Sequence, residues 1–294
     1  MRSNRRLVKW SAVPLGIAAA IALAGCTQQE QQGYLPGAAD TTNHTSETMA
    51  LWTTSWTILL VVGLLVWGLL LWAMIVYRRR RGQTGLPVQL RYNMPIEILY
   101  TIVPFILIIG FFAFTAKAQE DIEAPTPNPD VTISAFGKQW SWDFNYVKGG
   151  VTDTDVHELA GVQAQYGPDG TLDGDDVPTL WLPVDKTVHI ELNSRDVIHS
   201  FWVVDFLYKK DMIPGKQNDM YFTPTKIGEY AGKCAELCGE YHSQMLFKVN
   251  VVSESDYEAH IAELAANPET TGQLGADLNR NQNHPNEGAE TVEG

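Results

Sequence analysis

The spacing of apolar positions changes along the chain, and each change marks a different kind of segment. A basic start (Arg2, Arg5, Arg6, Lys9) is followed by an apolar run from Val13 to Leu23 and then small residues. That order predicts an export signal over residues 1–25, because the run is shorter than the ~20 residues a spanning helix needs. Residues 26–50 are Gln-rich and contain Gly and Pro, the composition of a flexible tether. Two long apolar stretches follow, Leu51 to Tyr77 and Met94 to about Ala116, with Trp52, Trp56, Trp72, Tyr77 and Tyr100 toward their ends. Their length and aromatic edges predict a two-helix transmembrane hairpin over residues 51–116. Alternate prolines in residues 120–130 predict a stiff linker.

Beyond Asp130 the period shortens to two. Apolar or alternating runs occur at Val131 to Phe136, Trp140 to Val147, Thr179 to Pro183, Thr187 to Leu192, Ser200 to Val204, Met220 to Thr223 and Met245 to Val252. Runs of this length, rich in Val, Ile, Trp and Phe, predict an all-β sandwich or barrel over residues 131–252. The polar, Gly- and Asp-rich residues 148–178 predict a long acidic surface loop inside it. Ser253, with acids just after it, predicts a helix over 253–266, ended by Asn267-Pro268. The Asn-, Glu- and Gly-rich residues 267–294 predict a disordered tail, and His260 and His284 are expected at the surface.

Charge orients these segments. The loop between the spans holds Arg78 to Arg81 and Arg91, which predicts a cytoplasmic loop with both outer ends across the membrane. The export signal puts the mature N-terminus on that same side. The 294 residues carry a formal net charge of -13, which argues against a nucleic-acid partner and suits a basic protein. Three cysteines rule out a disulfide framework. Leu23-Ala-Gly-Cys26 resembles the bacterial lipobox, which implies cleavage and lipidation at Cys26. Glu97 is the one acid within the second span. Two readings stand for it, a carboxylate that snorkels to water and a proton-handling group.

The chemistry concentrates between Lys233 and Phe247, where Cys234, Cys238, His242 and Met245 follow one another at short spacing. These are soft or borderline donors of the kind that suit copper, and His199 upstream adds a further imidazole. A local disulfide is the alternative for two cysteines of an exported protein. That alternative needs neither His242 nor Met245. Cys-x3-Cys departs from the Cys-x2-Cys knuckle of structural zinc. A mononuclear blue-copper site takes one cysteine, whereas this donor set is about right for two copper ions sharing both sulfurs.

Cys234-Ala-Glu-Leu-Cys238-Gly-Glu-Tyr-His242-Ser-Gln-Met245 closely resembles the CuA loop of subunit 2 of cytochrome c oxidase. Asp196-Val-Ile-His199-Ser-Phe-Trp202, Asp211-Met-Ile-Pro-Gly215 and Gly137-Lys-Gln-Trp140-Ser-Trp142 resemble further segments of that family, so the likeness runs from Leu51 to Val252. It implies a cupredoxin-like domain after the hairpin. Cys234 and Cys238 are implied to bridge two copper ions, with His199 and His242 binding one each. Met245 and the Glu236 carbonyl are implied as weak outer ligands, and the Glu236 side chain as a ligand to magnesium shared with subunit 1. Trp140 is implied to be where electrons enter, and Glu97 to stand at the mouth of a proton channel in subunit 1. The implied function is to take electrons from a c-type cytochrome and pass them to haem in subunit 1, where oxygen is reduced to water and protons are pumped. Implied partners are subunit 1, further oxidase subunits and the lipid bilayer. The implied place is a bacterial plasma membrane, crossed twice, with the β-domain outside.

The sequence departs from the family at Lys138 and Ser141, where the usual stretch reads His-Gln-Trp-Tyr-Trp, and in the length of the 148–178 insertion. Two other functions compete. A membrane-tethered copper carrier has no use for Trp140, Trp142 or Glu97. The related quinol oxidase subunits lack the copper ligands that are all present here.

Overall fold

The computed structural model describes residues 27–38, 40–86, 89–148, 154–173 and 177–274. The export signal, Cys26, His284, parts of the acidic loop and the end of the tail lie outside the described residues. The chain divides into two compact units, one of residues 1–36 and 49–85, the other of residues 37–48 and 86–294.

Helix α1 spans Thr45–Val76 and helix α2 spans Met94–Glu123. No part of the most apolar window of either helix is buried within the chain, unlike the mostly buried core helix of a soluble protein. Within the first unit, Trp52 packs edge-on against Trp56 and donates from Nε1 to the Gly33 carbonyl at 2.8 Å. Helix α2 opens with Pro95 in its first turn, where a missing N–H costs nothing. Glu97 lies in that same turn, and its Oε1 accepts the Asn93 amide at 2.9 Å. The carboxylate therefore has a local helix-capping partner as well as its place at the span's edge.

The outer domain is a sandwich of two five-stranded sheets. The first joins β10 (Asn218–Phe222), β7 (Val188–Ser194), β1 (Val131–Lys138), β2 (Ser141–Lys148) and β3 (Val156–His157) in that order. The second joins β6 (Thr179–Pro183), β12 (Leu246–Val252), β11 (Gly228–Cys234), β8 (His199–Val203) and β9 (Tyr208–Met212). Between them Trp142, Phe144, Phe201 and Phe247 are fully buried and meet ring to ring at 4.8 to 5.8 Å. Rings of this size supply most of the burial energy, and their mutual contacts fix the spacing of the sheets. Helix α3 (Glu254–Ala266) is capped by Ser253, whose Oγ accepts the Asp256 amide, and buries Tyr257, Ile261 and Leu264 along one face.

The structure differs from the sequence expectation in several places. Strands β9 and β11 go unsignalled, since β9 carries Lys209 and Lys210 at a sheet edge and β11 has Gly228, Ala231 and Gly232 where an apolar run would show. The insertion is not all surface. Its β3 extends the first sheet, β4 (Gln165–Tyr166) and β5 (Leu172–Asp173) form a small hairpin, and the Ala164 amide donates to Gln244 in the donor loop at 2.9 Å. His260 is not a surface residue. It stacks on Trp181 with centroids 4.3 Å apart and contacts Glu158 at 2.8 Å. The start of the expected tail folds back, with Thr270 buried and the Leu274 amide on Asn145 Oδ1 at 2.8 Å.

Residues 40–45, expected within a tether, instead strap onto the outer domain. The Asn43 amide donates to Thr223, the Thr225 amide to Thr41, and Thr41 Oγ1 to the Asp205 carbonyl. Thr41, Thr42 and Thr45 are buried there, so hydroxyl groups that look like linker polarity in the sequence serve as bonding groups. His44 Nε2 lies 3.2 Å from the Tyr221 carbonyl. Burial of the ring holds His44 below its ordinary value of 6.5, although that carbonyl pulls the other way. A histidine held neutral in the folded state stabilises the strap above pH 6.5 and loses that contribution as pH falls toward its lowered value. Hydrogen-exchange protection of the Asn43 and Thr225 amides is therefore expected to drop as pH falls below 6.5. Constant protection across that range would contradict the linkage.

Candidate metal centre

Two strand ends and one loop build the site. Strand β11 ends on Cys234, and its neighbour β8 begins on His199, so adjacent strands of one sheet deliver a thiol and an imidazole side by side. The loop then leaves Cys234 and returns through a single 3-10 turn over His242–Gln244 into β12. Backbone bonds close it at both ends, from the Cys234 amide to Met245 and from the Ala235 amide to Ser200, each 3.0 Å.

All six expected metal ligands converge there. Cys234 Sγ lies 3.8 Å from Cys238 Sγ, 3.8 Å from His199 Nδ1 and 3.2 Å from the Glu236 carbonyl. Cys238 Sγ lies 3.5 Å from His242 Nδ1 and 3.7 Å from Met245 Sδ. Each sulfur thus has its own imidazole and its own weaker donor. Both cysteines are free and buried, with a separation far beyond the ~2.05 Å of a disulfide. His199 and Met245 are fully buried, and His242 is half-buried. Two thiols, two imidazoles, a thioether and a carbonyl fit copper and not a hard cation, and two sulfurs between two imidazoles fit a metal pair.

Electrostatics prepare the sulfurs for metal. The hydrogen bond shared with Cys238, helped by His199, holds the Cys234 thiol far below its ordinary value of 9.0. Cys238 moves the other way, chiefly through that shared hydrogen bond and then through burial. The pair therefore ionises once with ease, and a bound metal would displace the second proton.

Asp196 sets the tautomer of His199. Its Oδ1 contacts His199 Nε2 at 2.7 Å, which leaves Nδ1 directed to Cys234. The backbone amides of Gln139 and Val197 donate to the same carboxylate, each at 2.7 Å. Burial disfavours the Asp196 charge, but these donors outweigh it and hold the group below its ordinary value. Burial likewise disfavours a charged His199, while Asp196 and Cys234 outweigh it and raise that group. Gly137 makes room for the ring, since a Cβ there would meet His199 Cδ2 at 2.9 Å.

Trp140 lies against the other cysteine. Its Nε1 donates to the Cys238 carbonyl at 3.3 Å, beside Gln139 Nε2 at 2.8 Å on the same oxygen. Its ring meets Tyr241 edge-on with centroids 4.9 Å apart. Gly239 permits this approach twice over, through a φ of +132° and because a Cβ would come within 3.0 Å of the Trp140 ring. Trp142, fully buried, donates to the Met245 carbonyl at 3.4 Å. The Glu236 side chain is exposed beside Leu237, while its carbonyl faces Cys234. Glu97 lies in α2, apart from this cluster, and the Cys26 expectation is outside the described residues.

Sequence reasoning missed the parts played by Asp196, Gln139, Gly239 and Tyr241. For Asp196 a signal existed, a carboxylate three residues before a candidate ligand histidine. For Gln139 and Gly239 none did, because their partners lie about a hundred residues away in the chain.

The family described as the periplasmic domain of cytochrome c oxidase subunit II matches residues 131–252. A probable cytochrome c oxidase subunit 2 of Streptomyces coelicolor is 40% identical over 293 residues, covering 92% of this chain and 91% of the relative. One from Streptomyces avermitilis is 41% identical over 294 residues, with the same coverage. Among solved structures, the periplasmic domain of subunit II of the Bradyrhizobium japonicum cytochrome oxidase is 30% identical, covering 48% of this chain and 98% of that one, with a TM-score of 0.40.

Replacing Asp196 by Asn frees the His199 ring to turn or to change tautomer. Copper affinity is expected to fall about 10- to 100-fold, the usual cost of losing such a partner. Titration of the full chain with copper checks this, and an unchanged affinity would remove Asp196 from the site.

Proposed function

The chain belongs to the cytochrome c oxidase subunit 2 family, and on that premise we propose that it takes electrons from a c-type cytochrome at a dinuclear copper centre and passes them to haem in subunit 1. It is a subunit of an oxidoreductase complex and a membrane protein whose β-domain is on the outer face. The observation that carries the proposal is the meeting of two buried, unbridged sulfurs, each with its own imidazole and weak donor.

In this reading Cys234 and Cys238 would hold both copper ions, His199 and His242 would hold one each, and Met245 and the Glu236 carbonyl would complete the set. When bound, the metal pair supplies a one-electron store whose charge is spread over two metals and two sulfurs. The chain's own residues supply rigidity. Strands β8 and β11 fix His199 and Cys234 by their pairing, Asp196 fixes the imidazole, and the aromatic core excludes water. Trp140 receives electrons at the surface, and its contact with the Cys238 carbonyl supports that role. The exposed Glu236 side chain is free to reach magnesium at a boundary with subunit 1. Glu97, half-buried at the edge of its span, delivers protons toward a channel in subunit 1. Oxygen reduction and proton pumping belong to that partner. Cys26 carries a lipid that adds a membrane anchor, and mass spectrometry of the mature N-terminus showing an unmodified cysteine would refute it.

Mixing reduced c-type cytochrome with the intact oxidase tests these roles. Trp140→Ala is expected to slow electron uptake by at least about tenfold with little change in copper content, as for loss of a contact used in the transfer itself. Glu97→Gln is expected to slow proton uptake while uptake of the first electron stays as in the parent. Unchanged rates in both variants would overturn the assignments.

A further inference from the structure

Lys138, Asp143 and Arg195 bring three charges into the interior next to the donor cluster, and nothing above uses them. Their side chains are 1%, 0% and 2% exposed. Lys138 Nζ lies 2.8 Å from Asp143 Oδ1, and Arg195 Nη2 lies 3.1 Å from Asp143 Oδ2. Two cations thus share one carboxylate. Nε and Nη1 of Arg195 find no hydrogen-bond partner among the described residues, and the guanidinium lies 4.8 Å over the Phe136 ring. Removing ions from water costs more than packing an apolar side chain in their place. Stability alone therefore gives no reason for this cluster.

Its position gives one. Asp143 stands in β2 opposite Phe136 of β1, and the turn between these strands carries Trp140. Arg195 directly precedes Asp196 in the loop that leads to His199. The β1–β2 hairpin and that loop are joined at three points. Arg195 pairs with Asp143, its amide donates to the Gly137 carbonyl at 3.0 Å, and the Gln139 amide donates to Asp196 at 2.7 Å. The cluster also holds one surplus positive charge, and Asp196 is close enough to act on Lys138. The Asp196 charge in turn reaches both His199 and Cys238.

We propose that Lys138, Asp143 and Arg195 are positioning residues for the metal centre: their linkage fixes the Trp140 turn against the His199 loop, and their surplus positive charge raises the centre's reduction potential. The inference rests on the two-copper reading. Reduction adds one electron to the centre, and a nearby buried cation favours that added charge while a lone carboxylate opposes it.

Redox titration of the copper signal in the intact oxidase tests this with charge changes of opposite sign. Lys138→Met removes a cation and is expected to lower the equilibrium constant for reduction on the order of tenfold, or about 59 mV for a one-electron couple. Asp143→Asn removes the carboxylate and is expected to raise it by a similar factor. The double variant, which loses one charge of each sign, is expected to return to the parent value. Where Asp143→Asn does not assemble, the double variant against Lys138→Met carries the same comparison. A merely structural cluster would reduce the amount of assembled complex and leave the potential of the assembled fraction unchanged. Equal potentials throughout, or shifts of one sign in both single variants, would overturn the proposal. A parent complex without a two-copper signal would instead overturn the function on which it rests.

Discussion

The structure depends on keeping two cysteine sulfurs close but unjoined. Cys234 and Cys238 lie 3.8 Å apart, near enough to share a proton or a metal and too far for a covalent bond. Cys234 is held by strand pairing, since it ends β11 opposite Phe201 of β8. Cys238 is held by its surroundings, with its carbonyl accepting from Gln139 and Trp140 and its sulfur facing His242 and Met245. A thiol pair on a mobile loop in an oxidising compartment would close into a disulfide. Here the loop is closed at both ends by backbone bonds and lies over a packed aromatic core.

That core explains why a β-sandwich suits this chemistry. Trp142, Phe201 and Phe247 pack where the two sheets meet, and Trp142 reaches both His199 and the Met245 carbonyl. Displacing a donor would require moving one of these rings, which close packing resists. Electron transfer gains from such stiffness, because bond lengths then change little between redox states. The same sandwich anchors the strap at residues 40–45 through backbone and hydroxyl bonds.

Much of this was legible in the sequence, for definite physical reasons. Donor identity and spacing singled out the donor loop, because Cys234, Cys238, His242 and Met245 are close in the chain as well as in space. The spans were legible from length and apolarity, and the longer strands from their period of two. Strand β11 was obscured because Gly228, Ala231 and Gly232 carry no apolar signal, yet it delivers Cys234. The strap was obscured because its threonines look like linker composition until their partners at Asp205 and Thr225 are known. Lys138 stood out only as a departure from the family pattern, and its burial against Asp143 follows from the strand register. His260 reads as a surface residue in the sequence because its partners, Trp181 and Glu158, are distant in the chain.

The Cys234–Met245 loop and His199 are proposed to hold two copper ions together as one electronic unit. Electron paramagnetic resonance of the copper in the intact oxidase tests it most directly. One unpaired electron is expected, with a hyperfine pattern split by two equivalent copper nuclei. A pattern split by a single copper nucleus, or a protein that binds no copper and carries a Cys234–Cys238 disulfide, would contradict it.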